Sequence, residues 1–167
     1  MARKPALQSL WNNFPDHTTF ATMQDLFTHL GGQAERNINE PGFGPDGNTC
    51  AARLSMAFNQ SGFPVKRGPG ISTLSTKGKG QIIFRVSEFR LFLGQLLGKP
   101  VRDRTTPFND KFMGKKGIIA FSINFKGATG HIALWNGSAF REPAYDSYEA
   151  YVNGGTRTSL GEFWELP

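Results

Sequence analysis

The chain has 167 residues, of which 38% are hydrophobic and 13% aromatic, with 15 phenylalanines. This is a globular composition, long enough for a core of its own; it excludes a disordered chain and predicts a single domain over residues 1–167. Nineteen Lys and Arg against 13 Asp and Glu leave a net charge of +6, which suits an anionic partner without choosing among nucleic acid, membrane surface and cell-wall polymer.

One cysteine excludes an internal disulfide and a cysteine-based zinc cluster, and His17, His29 and His131 are scattered, so no metal is expected. The start, Met1-Ala2-Arg3-Lys4-Pro5, has the basic lead of a secretory signal. Gln8, Ser9, Asn12 and Asn13 interrupt the apolar core that should follow, so no ordinary signal peptide is expected. Nothing approaches transmembrane length, and no membrane insertion is expected.

In chain order, Leu7, Leu10, Trp11 and Phe14 share one helical face, with Pro5 near its start and Pro15 at its end. Thr22 caps a second short helix, with Asp25 three residues on, Leu26, Phe27 and Leu30 inward, and Gly31-Gly32 as the stop. Asn37 to Gly47 reads as a loop from its Asn, Gly and Pro content. It leads into Gly47–Gly62, where Asn48 is the predicted N-cap. Leu54, Ala57, Phe58 and Ser61 recur at helical spacing there, and Gly62 with Pro64 ends the run. Cys50 then falls in the first turn, where the helix dipole favours the thiolate, the nucleophilic form. A lone cysteine is equally at home as a small buried hydrophobe.

Lys66 to Gly80 is basic and rich in Gly, Ser and Thr, and predicts an exposed loop. Ile82-Ile83-Phe84 predicts a short strand. Ser87 caps a helix with Phe89, Phe92, Leu93, Leu96 and Leu97 inward, ended by Gly98 and Pro100. Val101 to Lys116 is polar and irregular, a predicted surface loop. Ile118–Phe121 and His131–Trp135 predict strands, Asn136-Gly137 a two-residue hairpin turn, and Leu160–Leu166 an apolar edge strand. Helices first and strands later indicate the α+β class.

The hairpin carries the chemistry. A two-residue turn sets Trp135 opposite Ser138, Ala133 opposite Phe140 and His131 opposite Glu142, with opposed Cβ atoms about 5 Å apart. A histidine oriented by a carboxylate and facing a helix-start cysteine is a Cys–His–acid nucleophilic site. Taken alone, the same pair also reads as an ordinary surface contact between a histidine and a glutamate.

The run Asn48-Thr49-Cys50-Ala51-Ala52-Arg53-Leu54-Ser55, with Ala57-Phe58-Asn59 and Ser61-Gly62, resembles the nucleophile helix of the type VI secretion amidase effectors, family four. The resemblance continues through Arg85-Val86-Ser87, Gly98-Lys99-Pro100, Gly117 to Phe121 and Thr129 to Gly137, and so covers most of the chain from Asn37 onward. It implies a papain-like (NlpC-type) cysteine peptidase core, with the nucleophile helix packed on an antiparallel sheet. It also implies a cofactor-free amidase that cuts the D-glutamyl–meso-diaminopimelate bond of peptidoglycan stems. Cys50 would be the nucleophile and His131 the base. The family's acid is an aspartate at the place of Glu142, so hairpin and resemblance choose the same residue, with Asp146 a possible substitute. Ala133 stands where the family pattern commonly carries aspartate. Type VI secretion components and a cognate immunity protein are the implied partners, with synthesis in the producer cytoplasm and action in the target-cell periplasm. A wall-binding relative with impaired catalysis, motivated by Ala133 and Glu142, and a basic nucleic-acid-binding module using Lys66 to Lys79 are the alternatives; no nucleic-acid motif supports the latter.

Overall fold

The structure, a computed structural model, describes residues 3–38, 49–104, 108–125, 128–146 and 157–167. Its first helix, α1 (Leu7–Asn13), buries Leu7 and Leu10 as the periodicity requires, and the Leu7 N–H bonds to the Pro167 carbonyl at 2.8 Å. In α2 (Met23–Leu30) the Thr22 side chain accepts from the Asp25 N–H, and Met23, Leu26, Phe27 and Leu30 face inward. Gly31 and Gly32 both take positive φ, +66° and +63°. The stop at these glycines is therefore also a restart, and α3 (Gly32–Arg36) follows at once. The loop expected over Asn37 to Gly47 falls, beyond Ile38, outside the described residues.

The centre of the molecule is α4 (Cys50–Gln60), which is not the one-faced helix its periodicity predicts: every residue from Cys50 to Phe58 is buried. Leu54, Ala57 and Phe58 pack with Leu7 and Leu10 of α1, and with Phe89, Phe92 and Leu93 of α5 (Val86–Leu97). Phe58, Phe89 and Phe92 meet edge to face with centroids 5.5–5.6 Å apart, the geometry their ring quadrupoles favour. The other side of α4, through Ala52 and Met56, packs on Leu26, Phe27, Leu30 and Ala34. Two short paired strands, β1 (Leu74–Ser75) and β2 (Gln81–Ile82), contribute Leu74 and Ile82 to that second cluster. The basic segment expected to be a plain loop is thus pinned by a buried leucine at its middle. Ser87 does not cap α5; Arg85 holds the N-cap position.

The main sheet is antiparallel with strand order β3-β6-β4-β5, formed by β3 (Val101–Asp103), β4 (Gly117–Phe125), β5 (Ala128–Trp135) and β6 (Arg157–Glu165). Strand alternation divides its faces. Ile118, Ala120, Ile132, Leu134 and Trp164 join the cluster under α1, α4 and α5. Ile119, Phe121, Ala133, Trp135 and Phe163 form another with Phe112 and Phe140. Two expectations are corrected here. The tail strand is interior, because β3 pairs along its outer side through Val101↔Phe163 and Arg102↔Glu162. The polar stretch from Val101 to Lys116 accordingly carries β3 and a 3₁₀ turn (Phe108–Phe112) as well as loop. Its apolar signal is too thin to read, since Val101 is 60% exposed. At Gly117 a Cβ would lie 2.0 Å from the Trp164 carbonyl oxygen, so β4 and β6 come together there only because the residue has no side chain. The other sheet edge is β5, and α4 packs against it.

Candidate active site

Thr49 occupies the N-cap position of α4, and its hydroxyl caps nothing; it accepts from Arg53 Nε at 2.7 Å. Asn48, the expected cap, lies outside the described residues. Cys50 is therefore the first helical residue and is 6% exposed. One turn on, Arg53 is a fully buried guanidinium. It donates to Thr49, to the Pro15 carbonyl at 2.9 Å and to the Phe20 carbonyl at 2.7 Å. The segment between α1 and α2 is tied in this way to the start of the cysteine helix. Burial pulls the Arg53 pKa down, against the nearby charges of Glu142 and Asp16 that raise it.

His131 sits on β5 across the ladder from Phe121 and is 3% exposed. Its side chain is hydrogen-bonded to that of Cys50, and its Nε2 lies 2.8 Å from Asp146 Oδ1. A carboxylate only accepts, so Nε2–H is the donor, and Nδ1 is left to face the sulfur. Desolvation by burial is the largest influence on the ring and opposes its charge. The Cys50 charge, the Asp146 and Cys50 hydrogen bonds and the Asp146 charge outweigh it, and the His131 pKa is pushed up to about 10. The imidazolium is the favoured form well above neutral pH.

The hairpin register differs from the two-residue expectation. Asn136 folds its side chain over the turn, its Oδ1 accepting from the Ser138 and Ala139 N–H groups at 2.9 and 2.8 Å. This Asx-type closure makes a four-residue loop in which Trp135 pairs with Phe140, not with Ser138. After Arg141, whose N–H bonds to the Leu134 carbonyl, the chain leaves the ladder and forms the single helical turn α6 (Pro143–Asp146). Pro143 starts this helix, as suits a residue with no N–H to lose at the first helical position. Glu142 therefore does not reach His131, and its assignment opposite that ring is corrected. Its Oε1 lies 2.9 Å from His17 Nδ1, and its Oε2 accepts from the His17 backbone N–H at 2.8 Å. Burial opposes the Glu142 charge, but the His17 hydrogen bonds, with the His17 and Arg53 charges, hold the carboxyl below its ordinary pKa.

The structure brings together Cys50, His131 and, in place of Glu142, Asp146. It adds two residues to which the sequence assigned no role, Arg53 and His17. A readable signal existed for the acid: with Pro143 taken as a helix start, Glu142 and Asp146 stand four apart and share a helix face. Ala133 is 2% exposed, inside the cluster with Phe121, Trp135 and Phe140. Among the described residues no group of three or more His, Cys, Asp or Glu is placed to hold a metal ion, and no helix is long and apolar enough to cross a membrane.

A cysteine-bearing helix packed on an antiparallel sheet that carries the partner histidine is the papain-like, NlpC-type architecture within the α+β class. Residues 47–162 match the model of Tae4, the type VI secretion system (T6SS) amidase effector protein 4. The chain belongs to that family. It is similar over nearly its whole length to solved Tae4 structures. With Tae4 in the Tae4–Tai4 effector–immunity complex from Enterobacter cloacae it shares 30% identity at a TM-score of 0.82, covering 99% of this chain and 100% of that one. For the Tae4/Tai4 effector–immunity system of Salmonella typhimurium the values are 29%, 0.80, 99% and 100%. For Tae4 of Enterobacter cloacae on its own they are 30%, 0.80, 99% and 99%. Comparison with curated proteins finds no match.

Proposed function

We propose that the chain is a cysteine amidase that hydrolyses the D-glutamyl–meso-diaminopimelate amide of peptidoglycan stems, with Cys50 as nucleophile, His131 as base and acid, and Asp146 as the orienting carboxylate. The observation that carries this is the continuous hydrogen-bonded run from Cys50 through His131 to Asp146, buried at the start of α4. The thiol proton already rests on His131 as the imidazolium, and the sulfur attacks the amide carbonyl. The Cys50 N–H, in the first helical turn, is a natural donor to the oxyanion that forms. The imidazolium then protonates the leaving amine, and water, deprotonated by the same ring, releases the acyl group. Asp146 keeps the ring in the tautomer and orientation that both transfers need.

The net charge of +6 favours the carboxylate-rich stem and acidic wall polymers. Membership of the effector family and likeness to effector–immunity complexes support delivery by type VI secretion, action on the wall in the target periplasm, and a cognate immunity protein as partner. The sharing of α4 between the two helical clusters supports reading residues 1–167 as one domain. Digestion of purified muropeptides followed by mass spectrometry tests the activity: the expected products are stems cut between D-glutamate and diaminopimelate. Intact stems after incubation with folded protein would overturn it.

A further inference from the structure

Asp146 closes a one-turn helix, and a helix that short does not hold its own geometry. Its setting comes from the other end of the turn. Asp146 Oδ2 accepts from the Glu142 backbone N–H at 2.9 Å, while the Asp146 N–H bonds to the Glu142 carbonyl at 2.8 Å. The Glu142 side chain reaches in turn to His17, which grips both of its oxygens, one through Nδ1–H and one through the backbone N–H. The His17 ring also lies flat on Tyr145, centroids 3.7 Å apart and planes 5° from parallel. The segment carrying His17 is bolted to the cysteine helix by Arg53, through the Pro15 and Phe20 carbonyls. The contacts close a ring: α4 to Arg53, to the Pro15–Phe20 segment, to His17, to Glu142, to Asp146, to His131 and back to Cys50.

We infer that His17 and Glu142 form a positioning clamp that fixes Asp146, and through it the His131 ring, in the frame of the nucleophile helix. The inference rests on the reading of Asp146 as the orienting acid. It divides two tasks between two carboxylates: the one at 142 buttresses, and the one a helical turn later touches the ring. Glu142 has the length for this task. Its oxygens must span from the hairpin exit to a neighbouring loop while its own peptide N–H serves Asp146.

The test compares purified full-length variants on a muropeptide substrate, with kcat, KM and the pH–rate profile as readouts. Arg141 donates to the Trp11 carbonyl and to Asp16, both at 3.1 Å, and this tie remains in every variant, so the loop stays docked and circular dichroism should be unchanged. His17→Phe keeps the stack on Tyr145 and removes the side-chain donor; His17→Asn restores a donor near the Nδ1 position. Glu142→Ala removes the acceptor of both bonds. Misplacing a catalytic group by a fraction of an ångström lowers kcat by about 10- to 100-fold. The expected result is a loss in that range for Glu142→Ala, a smaller loss for His17→Phe and recovery of most of it in His17→Asn. KM should hold, the alkaline limb of the profile should move to lower pH, and the double variant should be no worse than Glu142→Ala alone. If Asp146→Asn is crippled while Glu142→Ala and His17→Phe match wild type in kcat and pH limb, the clamp is overturned and the acid stands. If instead Asp146→Asn turns over normally and Glu142→Ala is crippled, the acid assignment itself fails and the clamp goes with it.

Discussion

The pairs His131–Asp146 and His17–Glu142 are nearly the same contact, ring nitrogen to carboxylate oxygen at 2.8 and 2.9 Å, and their acids stand four residues apart. Their surroundings separate them. His131 and Asp146 have side chains 4% and 6% exposed, and the ring's other partner is a thiol. The His17 and Glu142 side chains are 21% and 9% exposed, and the ring's other partner is the face of Tyr145. Burial makes the first pair's electrostatics strong, and the sulfur gives its proton somewhere to go. The second pair sets its ring on an aromatic face where the first meets a thiol, and its role is to hold things in place. A histidine–acid distance does not define an active site; the third partner does.

The largest expected effect follows from that third partner. Cys50→Ala exchanges a small buried thiol for a methyl group and should leave folding close to wild type while abolishing stem cleavage. Full activity in the folded variant would falsify the nucleophile outright. His131→Ala should be nearly as severe, because in the proposed mechanism the proton transfers run through this ring.

Next comes the acid. Asp146→Asn keeps shape but removes the charge that favours the imidazolium, and it can select the wrong tautomer. By comparison with acid-to-amide changes in other triads its loss can reach ~10⁴-fold. The pH profile should change in a definite direction. With His131 raised to about 10, wild-type activity should fall only as pH rises through that region, because the ring then lacks the proton it gives to the leaving amine. Asp146→Asn removes one of the influences that raise this pKa, so the alkaline limb should move to lower pH. A limb that stays in place would show that Asp146 is not coupled to the titrating ring. The same shift bears on stability. The folded ring keeps its proton between the ordinary histidine value of 6.5 and about 10 while the unfolded ring has released it, so this contribution is complete below pH 6.5 and lost as pH climbs through about 10.

Much of this was legible in the sequence, and the misses share a cause. The helix that starts near Cys50, the strands at Ile118–Phe121 and His131–Trp135 and the α+β class follow from local periodicity and from glycine and proline punctuation, whereas the ladder partner of the His131 strand is β4 and not residues 138–142. The register that sets Glu142 opposite His131 follows from reading Asn136-Gly137 by its backbone preference, and the structure departs from it. The Asn136 side chain closes a longer loop, which moves the register by two residues and keeps the face unchanged. Parity therefore looked right while the contact was wrong. β3 was missed because its only reason to be a strand is the exposed edge of β6, 60 residues away at Arg102↔Glu162. Arg53 and His17 act through bonds to distant carbonyls and a distant carboxylate, and no local pattern encodes those.

A fourth variant tests whether the Pro15–Phe20 segment is bolted as firmly as its bonds imply. Arg53→Met fills similar space without the guanidinium and leaves Thr49, the Pro15 carbonyl and the Phe20 carbonyl without their donor. Each unpaired buried acceptor costs about 1–3 kcal/mol, with water able to reach some of them, so the loss should be about 3 kcal/mol in urea titration. A midpoint unchanged from wild type would mean the segment holds without Arg53, and that the ring of contacts is open at this point.

The smallest expected effect on turnover belongs to Glu162, with Asp146 the other nearly inaccessible carboxylate among the described residues, and it completes the contrast. Glu162 is 3% exposed on β6, paired with Arg90 and with Arg102 at 2.9 Å. Its partners are guanidinium groups, which bind carboxylates as fixed hydrogen-bonding forks, so the cluster holds α5 to the β3–β6 side of the sheet. Glu162→Gln keeps one acceptor and removes the charge. The Arg102 side chain is 67% exposed and can turn to water, which limits the penalty to about 1–2 kcal/mol, below the cost of stranding a fully buried partner. Urea titration should show that loss, while kcat, KM and the alkaline limb remain at wild-type values. A shifted limb in Glu162→Gln would mean that charge on the far edge of the sheet reaches the His131 ring. Glu162 would then be coupled to the titrating ring, as Asp146 is, and not purely structural.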